Sequence, residues 1–287
     1  MVMQVTWEQV TADYQVGPIR SPEILKSVTA TVKEGAFTAV VGQTGSGKSS
    51  LLKSTNGLLL PIHGRVGIGD LELTPENNKK LLKAVRRKVG MVFQFPESQL
   101  FAETVEKDIM FAPMNFGSTE AEARRNAQEI IQRLQLDASV LQKSPFSLSG
   151  GQKRYVAIAG ILAMDPVILV LDEPGAGLDP KGKREMMKLI HNWHTERGLT
   201  TLFVTHDMDD VALYADQVIV MEAGGVVYHG TPAELFTDAV QLREWELELP
   251  KARRLQLKIE QASDIKLSRT CLTLDELTDA LIEAGLA

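Results

Sequence analysis

Short apolar runs without polar alternation punctuate the chain at residues 37–41, 89–93, 167–171, 200–204 and 218–221, each ending at a polar or glycine-rich turn. A half-solvated strand alternates apolar and polar positions, so uninterrupted runs predict strands covered on both faces. Stretches of helical period separate most of them, among them residues 120–134, 151–162 and 181–194. Strands alternating with helices predict an α/β fold with a mainly parallel sheet. Residues 4–10 and 28–32 alternate more regularly and predict antiparallel strands, and residues 223–230 predict a hairpin around a Gly-Gly turn. Beyond Gly230 the sheet pattern stops. Thr231, Pro232 and Glu234 then read as N-cap, first-turn proline and capping-box partner of a helix. The tail stays charged and helix-like to about Gln261, and Asp275 and Glu276 mark the first turn of a second helix starting near Thr273. A boundary near Gly230 therefore divides residues 1–230 from a helical extension, 231–287.

A length of 287 residues fits one domain with a modest appendage. The composition, 44% hydrophobic and 24% charged, is that of a soluble globular protein. A net charge of −6 speaks against nucleic-acid binding through bulk positive charge, while leaving room for a local basic patch. The single cysteine, Cys271, excludes an internal disulfide and suits a reducing cytosol. The first seven residues lack a basic segment followed by an apolar one, so no signal peptide is expected. The most apolar run, residues 167–171, is far shorter than the roughly 20 residues a membrane span needs, so a membrane role requires a partner.

Gly42, Gln43, Thr44, Gly45, Ser46, Gly47, Lys48 and Ser49 follow a predicted strand and open a predicted helix that continues with Ser50. That is the context of a phosphate-binding P-loop. Glycines let the backbone wrap phosphates with its N–H groups inward, and the helix N-terminus adds partial positive charge. Lys48 is placed to reach the β- and γ-phosphates of ATP and Ser49 to ligate Mg²⁺. The bland alternative is a glycine-rich helix cap. A second signal is the apolar run ending in Asp172-Glu173, which puts two carboxylates at a strand's C-terminal end, where open α/β sheets bind ligands. Asp172 suits Mg²⁺ and Glu173 suits a general base. Alone, the pair reads equally well as a strand running into a helix cap. The third signal, Leu148-Ser149-Gly150-Gly151-Gln152 before a helix, occurs by chance about once in several thousand chains of this length at average residue usage.

With Leu148–Gln152 the sequence resembles the ABC ATPase family, in which LSGGQ is the signature. The resemblance implies a P-loop NTPase with a mainly parallel core sheet, an N-terminal antiparallel β subdomain and a helical signature subdomain at about residues 95–165. Ser149, Gly150 and Gly151 form a second phosphate-binding helix start. One site has no need of two such cradles from one subunit, so the signature is expected to act in trans on ATP held by a partner's P-loop. Gln94 resembles the Q-loop glutamine that touches Mg²⁺ and the attacking water. Asp179, in Gly177-Leu178-Asp179-Pro180, resembles the D-loop aspartate at the dimer interface. His206 resembles the switch histidine that contacts the γ-phosphate, and Tyr14 the aromatic residue that stacks on adenine. The implied Mg²⁺ set is Ser49, Gln94 and Asp172. The alternatives are a polar loop residue for Gln94 or His206 and a surface tyrosine for Tyr14; Trp7 reads as core.

Three features are similar to the energy-coupling factor ATPases, the group that includes cobalt and nickel importers. They are the segment Phe93–Phe101 (FQFPESQLF), the segment Glu173–Pro180 (EPGAGLDP), and Leu249-Pro250 followed by Arg253, Arg254 and Leu255. The second resembles the second of their paired ATPase subunits. Gly175 departs from the Thr or Ala of many cassettes; it does not touch the catalytic pair, so activity is expected to survive it. The resemblance implies two head-to-tail ATPases under a transmembrane coupling protein, with a separate membrane subunit capturing a vitamin or metal ion, at the cytoplasmic face of a bacterial membrane. No nucleic acid is implied, and the cargo is specified by another polypeptide. Phe95, Pro96, Leu100 and Phe101 would give apolar content to a groove for the coupling protein, unless they pack inside their own domain. Lys251, Arg253, Arg254 and Lys258 either touch lipid or a partner or are solvated, and the same holds for residues 86–88. Homodimer versus heterodimer pairing stays open. DNA-repair cassettes need a long coiled coil between P-loop and signature, translation cassettes come two to a chain, and a small-molecule kinase would not need the signature. A conventional ABC importer cassette is the remaining alternative.

Overall fold

The computed structural model describes residues 3–14 and 23–286; Met1 and Val2 of the N-terminal reading lie outside the described residues. The chain runs β1 (Val5–Ala12), β2 (Leu25–Val32), β3 (Phe37–Gly42), α1 (Lys48–Thr55), β4 (His63–Ile68), β5 (Leu71–Leu73), α2 (Lys79–Lys88) and β6 (Val89–Val92). Then follow α3 (Val105–Asn115), α4 (Glu120–Arg133), α5 (Gly150–Leu162), β7 (Ile168–Asp172), α6 (Pro180–Arg197), β8 (Thr200–Val204), α7 (Met208–Tyr214), β9 (Gln217–Glu222) and β10 (Gly225–Gly230). The last elements are α8 (Pro232–Leu235), α9 (Ala239–Glu244), α10 (Lys251–Ser263) and α11 (Leu274–Glu283).

Among the described residues the strands form two sheets. The larger has the order β10-β9-β3-β8-β7-β6, parallel except for the β9–β10 hairpin. Every residue of β3, β6, β7 and β8 is buried, as their uninterrupted apolar sequences predict. The smaller sheet, β2-β1-β4-β5, is antiparallel. Trp7, Val66 and Ile68 of the small sheet share one core with Leu51 and Leu52 of α1 and with Val40, Val170 and Leu202 of the large sheet. Trp7 is fully buried and donates from Nε1 to Ser54 Oγ at 2.8 Å, which satisfies its one polar atom. On the other face of the large sheet, Phe37 and Phe203 pack with Met187, Ile190 and Trp193 of α6, and that core continues into α3, α4 and α5.

The β9–β10 turn differs by one residue from the Gly-Gly turn expected. Glu222 pairs with Gly225, so Ala223 and Gly224 form the two-residue turn, both with positive φ (46° and 90°). Such a turn matches the right-handed twist of its strands, and Gly224 takes the second position without strain. β6 stops at Val92, one residue before the apolar run ends.

Thr231 caps α8 with Glu234 closing the capping box, and Thr273 caps α11 with Glu276. Leu235, Phe236 and Leu242 of the C-terminal region join the main core, while Cys271, Leu277 and Ala280 form a small core of their own. The basic residues of α10 divide. Arg253 is buried and donates from Nε to Phe236 O at 3.2 Å, so it fastens the helix and is not solvated. Lys251 is ion-paired, whereas Lys258 is exposed. No helix among the described residues is long and apolar enough to cross a membrane.

Candidate functional site

The parallel strands end side by side, and the loops that leave them carry the polar residues. β3 turns out of the sheet at Gly42, whose φ is 140° and where an added Cβ would lie 2.1 Å from Met221 O; only glycine fits. The loop closes at Gly47, which opens α1 from a left-handed conformation. Lys48 is buried, and its Nζ donates to Gly42 O at 2.8 Å and Gln43 O at 2.7 Å, so the loop curls around the ammonium. Burial pulls the Lys48 pKa down, against the pull of Glu173 and Asp172. Ser46 Oγ is buried and has no partner among the described residues, while Thr44 and Gly45 are exposed at the rim. A curled glycine-rich loop, a helix start, a buried cation and an orphaned hydroxyl suit a phosphate group.

Asp172 ends β7, and the Ser49 hydroxyl donates to its carboxylate. Burial pushes Asp172 upward; the hydrogen bond from Ser49 opposes this. A half-desolvated carboxylate beside a hydroxyl is a donor set that suits a hard cation. The next residue, Glu173, adopts φ 50°, in the left-handed region that non-glycine residues enter infrequently. Its Oε2 accepts from Gln94 Nε2 at 3.0 Å, and its Oε1 lies 2.7 Å from His206 Nε2. Gln94 follows β6, Glu173 follows β7 and His206 follows β8, so three neighbouring strands deliver the trio.

Tyr14 lies beside α1. Its Oη is 3.2 Å from Ser50 Oγ and accepts from Lys53 Nζ at 3.3 Å, and Lys53 Nζ stands 5.4 Å from the ring centre. The buried Ser50 hydroxyl is thus engaged with Tyr14. A cavity of about 450 Å³ is lined by Gly42, Gln43 and Thr44 of the loop, by Thr205, His206 and Met208, and by residues 246–248.

The signature residues line neither this cavity nor the one of similar volume beside Glu173. Ser149 caps α5: its Oγ accepts from Gln152 N at 3.3 Å, and Gln152 Oε1 accepts from Ser149 N at 3.2 Å. Leu148 is buried beneath them, while around Gly150 and Gly151 an added Cβ would meet nothing within 4 Å. This helix start is open to an approaching surface. Asp179 is exposed and caps α6, with Oδ1 accepting from Gly182 N at 2.6 Å.

Phe95 and Phe101 are exposed, whereas Pro96 and Leu100 pack inside. Phe101 stacks edge-on against Phe111 with ring centres 4.8 Å apart, and Met114 extends the apolar surface.

Sequence reasoning missed Arg154 of α5. Only 3% exposed, it forks onto Glu97 at 3.0 and 3.1 Å and donates to Ala176 O, which ties the signature helix to the segments after β6 and β7. Its signal was a cation among the apolar positions Val156, Ile158 and Ala159. The departure at Gly175 also finds a reason, since an added Cβ there would lie 2.7 Å from Lys183 Cγ. The glycine makes room for that side chain.

The P-loop on β3, the carboxylates on β7 and the open second helix start define an ATP-hydrolysing cassette. The ABC transporter family model matches residues 25–176. The energy-coupling factor transporter ATP-binding protein EcfA2 of Listeria monocytogenes is 49% identical over 276 residues, 96% of each chain. EcfA2 of Geobacillus kaustophilus is 50% identical over 279 residues, 97% of this chain and 96% of its own. Among solved structures, cbiO1 of Clostridium perfringens, described as part of the ABC transporter complex cbiONQ, superposes with a TM-score of 0.74 at 34% identity, covering 92% of this chain and 100% of its own. The cassette MJ0796, a dimer in a post-hydrolysis state bound to ADP and Pi, superposes with a TM-score of 0.70 at 30% identity, covering 79% and 98%. The chain belongs to the ABC transporter family and, within it, to the energy-coupling factor transporter ATP-binding proteins.

Proposed function

We propose that this chain is one half of a head-to-tail ATPase pair that powers uptake of a vitamin or transition-metal ion through a transmembrane coupling protein and a substrate-binding membrane subunit. The observation that carries the reading is Glu173, held between Gln94 and His206 beside a P-loop with a buried lysine. The triphosphate takes the loop N–H groups and draws Lys48 Nζ off the carbonyls of Gly42 and Gln43. Glu173 accepts a proton from water as its oxygen attacks the γ-phosphorus and the bond to the bridging oxygen breaks. Gln94 holds the water, and His206 contacts the γ-phosphate. Ser49, Asp172 and Gln94 would hold Mg²⁺, which when bound neutralises charge on the phosphate oxygens. Tyr14 offers a ring face to adenine, and the signature, Leu148 to Gln152, completes the site of the partner.

Lys48→Ala removes the buried cation at the phosphate site. Tight ATP binding is expected to be lost, as an equilibrium titration with labelled ATP would register; wild-type affinity would move the site elsewhere.

The exposed Phe95, Phe101, Phe111 and Met114 offer an apolar seat for the coupling protein. Leu255, Leu274 and Ile282 are exposed on the C-terminal extension, residues 231–287, which supports its role in dimerisation. The partner ATPase is a paralogue, and the pair sits at the cytoplasmic face of the membrane. The presence of cbiO1 in a transporter complex supports this arrangement. Affinity purification from detergent-solubilised membranes is expected to bring along an integral membrane protein and a second ATPase. Recovery of the chain alone, or with ribosomes, would contradict the proposal.

A further inference from the structure

Helix α10 starts without a cap of its own. Its N-cap is Pro250, which has no side-chain hydrogen bond to give. The first N–H of the helix, that of Lys251, instead donates to Asp209 Oδ1 at 2.7 Å, and Lys251 Nζ reaches Asp209 Oδ2 at 2.8 Å. Asp209 belongs to the first turn of α7, three residues after His206. Both oxygens of one switch-side carboxylate therefore hold the start of the C-terminal extension.

The same turn is fixed from the other side. Asp207 caps α7, its Oδ1 accepting from Asp209 N at 2.9 Å. Lys183 of α6 bridges Asp207 and Asp210, the latter at 2.8 Å, and its stem lies where Gly175 leaves room. Residues 246–248, just before α10, line the cavity shared by the P-loop and His206. Lys183 holds the switch turn to the body of the cassette, and Asp209 ties it to the extension.

We infer that the C-terminal extension sets the position of His206 through the Asp209–Lys251 clamp. Asp209 and Lys251 are then positioning residues for hydrolysis. The inference rests on the reading of His206 as the γ-phosphate contact. A shift of α10, such as docking of the extension on its partner would impose, is passed to α7 and so to the histidine. The Lys251 side chain is 72% exposed, and ion pairs so exposed contribute little to stability. Loss of the ion pair alone should therefore register in turnover and leave folding unchanged, whereas Asp209→Ala also removes the acceptor of the first helical N–H and lowers stability by one helix cap.

The experiment measures kcat, KM for ATP and Tm of the assembled transporter carrying Asp209→Ala, Lys251→Ala, Lys251→Arg or His206→Ala. Asp209→Ala is expected to lower kcat about tenfold, well inside the loss of about a hundredfold that a 1 Å misplacement can cause. Lys251→Ala should lower it less, because the backbone N–H keeps its acceptor, and Lys251→Arg should restore it. KM should stay at the wild-type value in the Asp209 and Lys251 variants; Tm should stay unchanged in the Lys251 variants and fall by no more than about 2–4 °C in Asp209→Ala, the loss of one helix cap. Wild-type kcat in both alanine variants overturns the inference, as does a kcat loss matched by an equal loss of folded complex at the assay temperature. His206→Ala separates the two failures. If it is inactive while Asp209→Ala is normal, the clamp alone fails; if it also turns over normally, the reading of the site fails and the clamp with it.

Discussion

Glu173→Gln is expected to leave ATP binding intact and to cut hydrolysis by about 10²–10⁴, the range for loss of a general base. Both carboxylate oxygens are engaged, one by Gln94 at 3.0 Å and the other by His206 at 2.7 Å. An amide keeps the shape and can meet the same neighbours after a flip, with the histidine in the complementary tautomer. What it cannot do is take a proton from water. Nor does the substitution touch the phosphate cradle, because Lys48 is held by the loop carbonyls and Ser49 by Asp172. Binding and turnover should therefore separate. Steady-state phosphate release by the purified complex, set beside an ATP titration of the same sample, measures both. Turnover near the wild-type rate would remove Glu173 from its role.

Glu173 is one of nine non-glycine residues with positive φ among the described residues. A φ of 50° at a non-glycine residue costs energy that the surrounding contacts must offset. The peptide N–H of Glu173 donates to Val204 O at 3.2 Å, which fixes the turn against β8. The carboxylate lies in the gap between Gln94 and His206.

Much of this arrangement was legible in the sequence because it depends on local pattern. The runs that became β3, β6, β7 and β8 are buried on both faces, so their apolar residues are consecutive. Where tertiary context decides, the pattern fades. β4 carries two glycines and buries only Val66 and Ile68, and β5 is three residues long. α2 buries only Val85, and α3 carries Pro113 in its interior with Phe111 and Met114 exposed, which blurs its helical face. The pairs that lock the site join residues far apart in the chain: Arg154 and Glu97 are 57 residues apart, and Lys251 and Asp209 are 42 apart. No spacing rule reaches such pairs. Arg253 shows the same limit, since a basic residue in a charged run reads as solvated until its carbonyl partner at Phe236 is seen.

The second large effect concerns the signature. A triphosphate closed between two surfaces needs donors on both, since an unpaired buried charge is very costly. Lys48, the P-loop and the start of α1 supply one side. The start of α5, with Ser149, Gly150 and Gly151 exposed or nearly so and nothing crowding the glycines, is suited to supply the other. Among the described residues, no signature residue lines the cavity at this chain's own P-loop or the one beside Glu173, which supports the proposal that the cradle it completes is the partner's. After loss of the γ-phosphate the second cradle has less to hold, and the closed pair loses its differential stabilisation. In the arrangement proposed above, the exposed aromatic surface around Phe95 and Phe101 would then move with the cassette and pull on the membrane protein.

Ser149→Arg fills that approach surface with a long cation, and losing the α5 cap costs only about 1 kcal/mol of stability. The substitution should spare ATP at the mutant chain's own P-loop and disable the site whose P-loop lies in the other ATPase. Site-resolved nucleotide trapping in the assembled pair, with the two ATPases separated after photocrosslinking of labelled ATP, tests the head-to-tail arrangement most directly. The account predicts label retained on the chain that carries Ser149→Arg and lost from its partner; label lost from the mutated chain alone would contradict it.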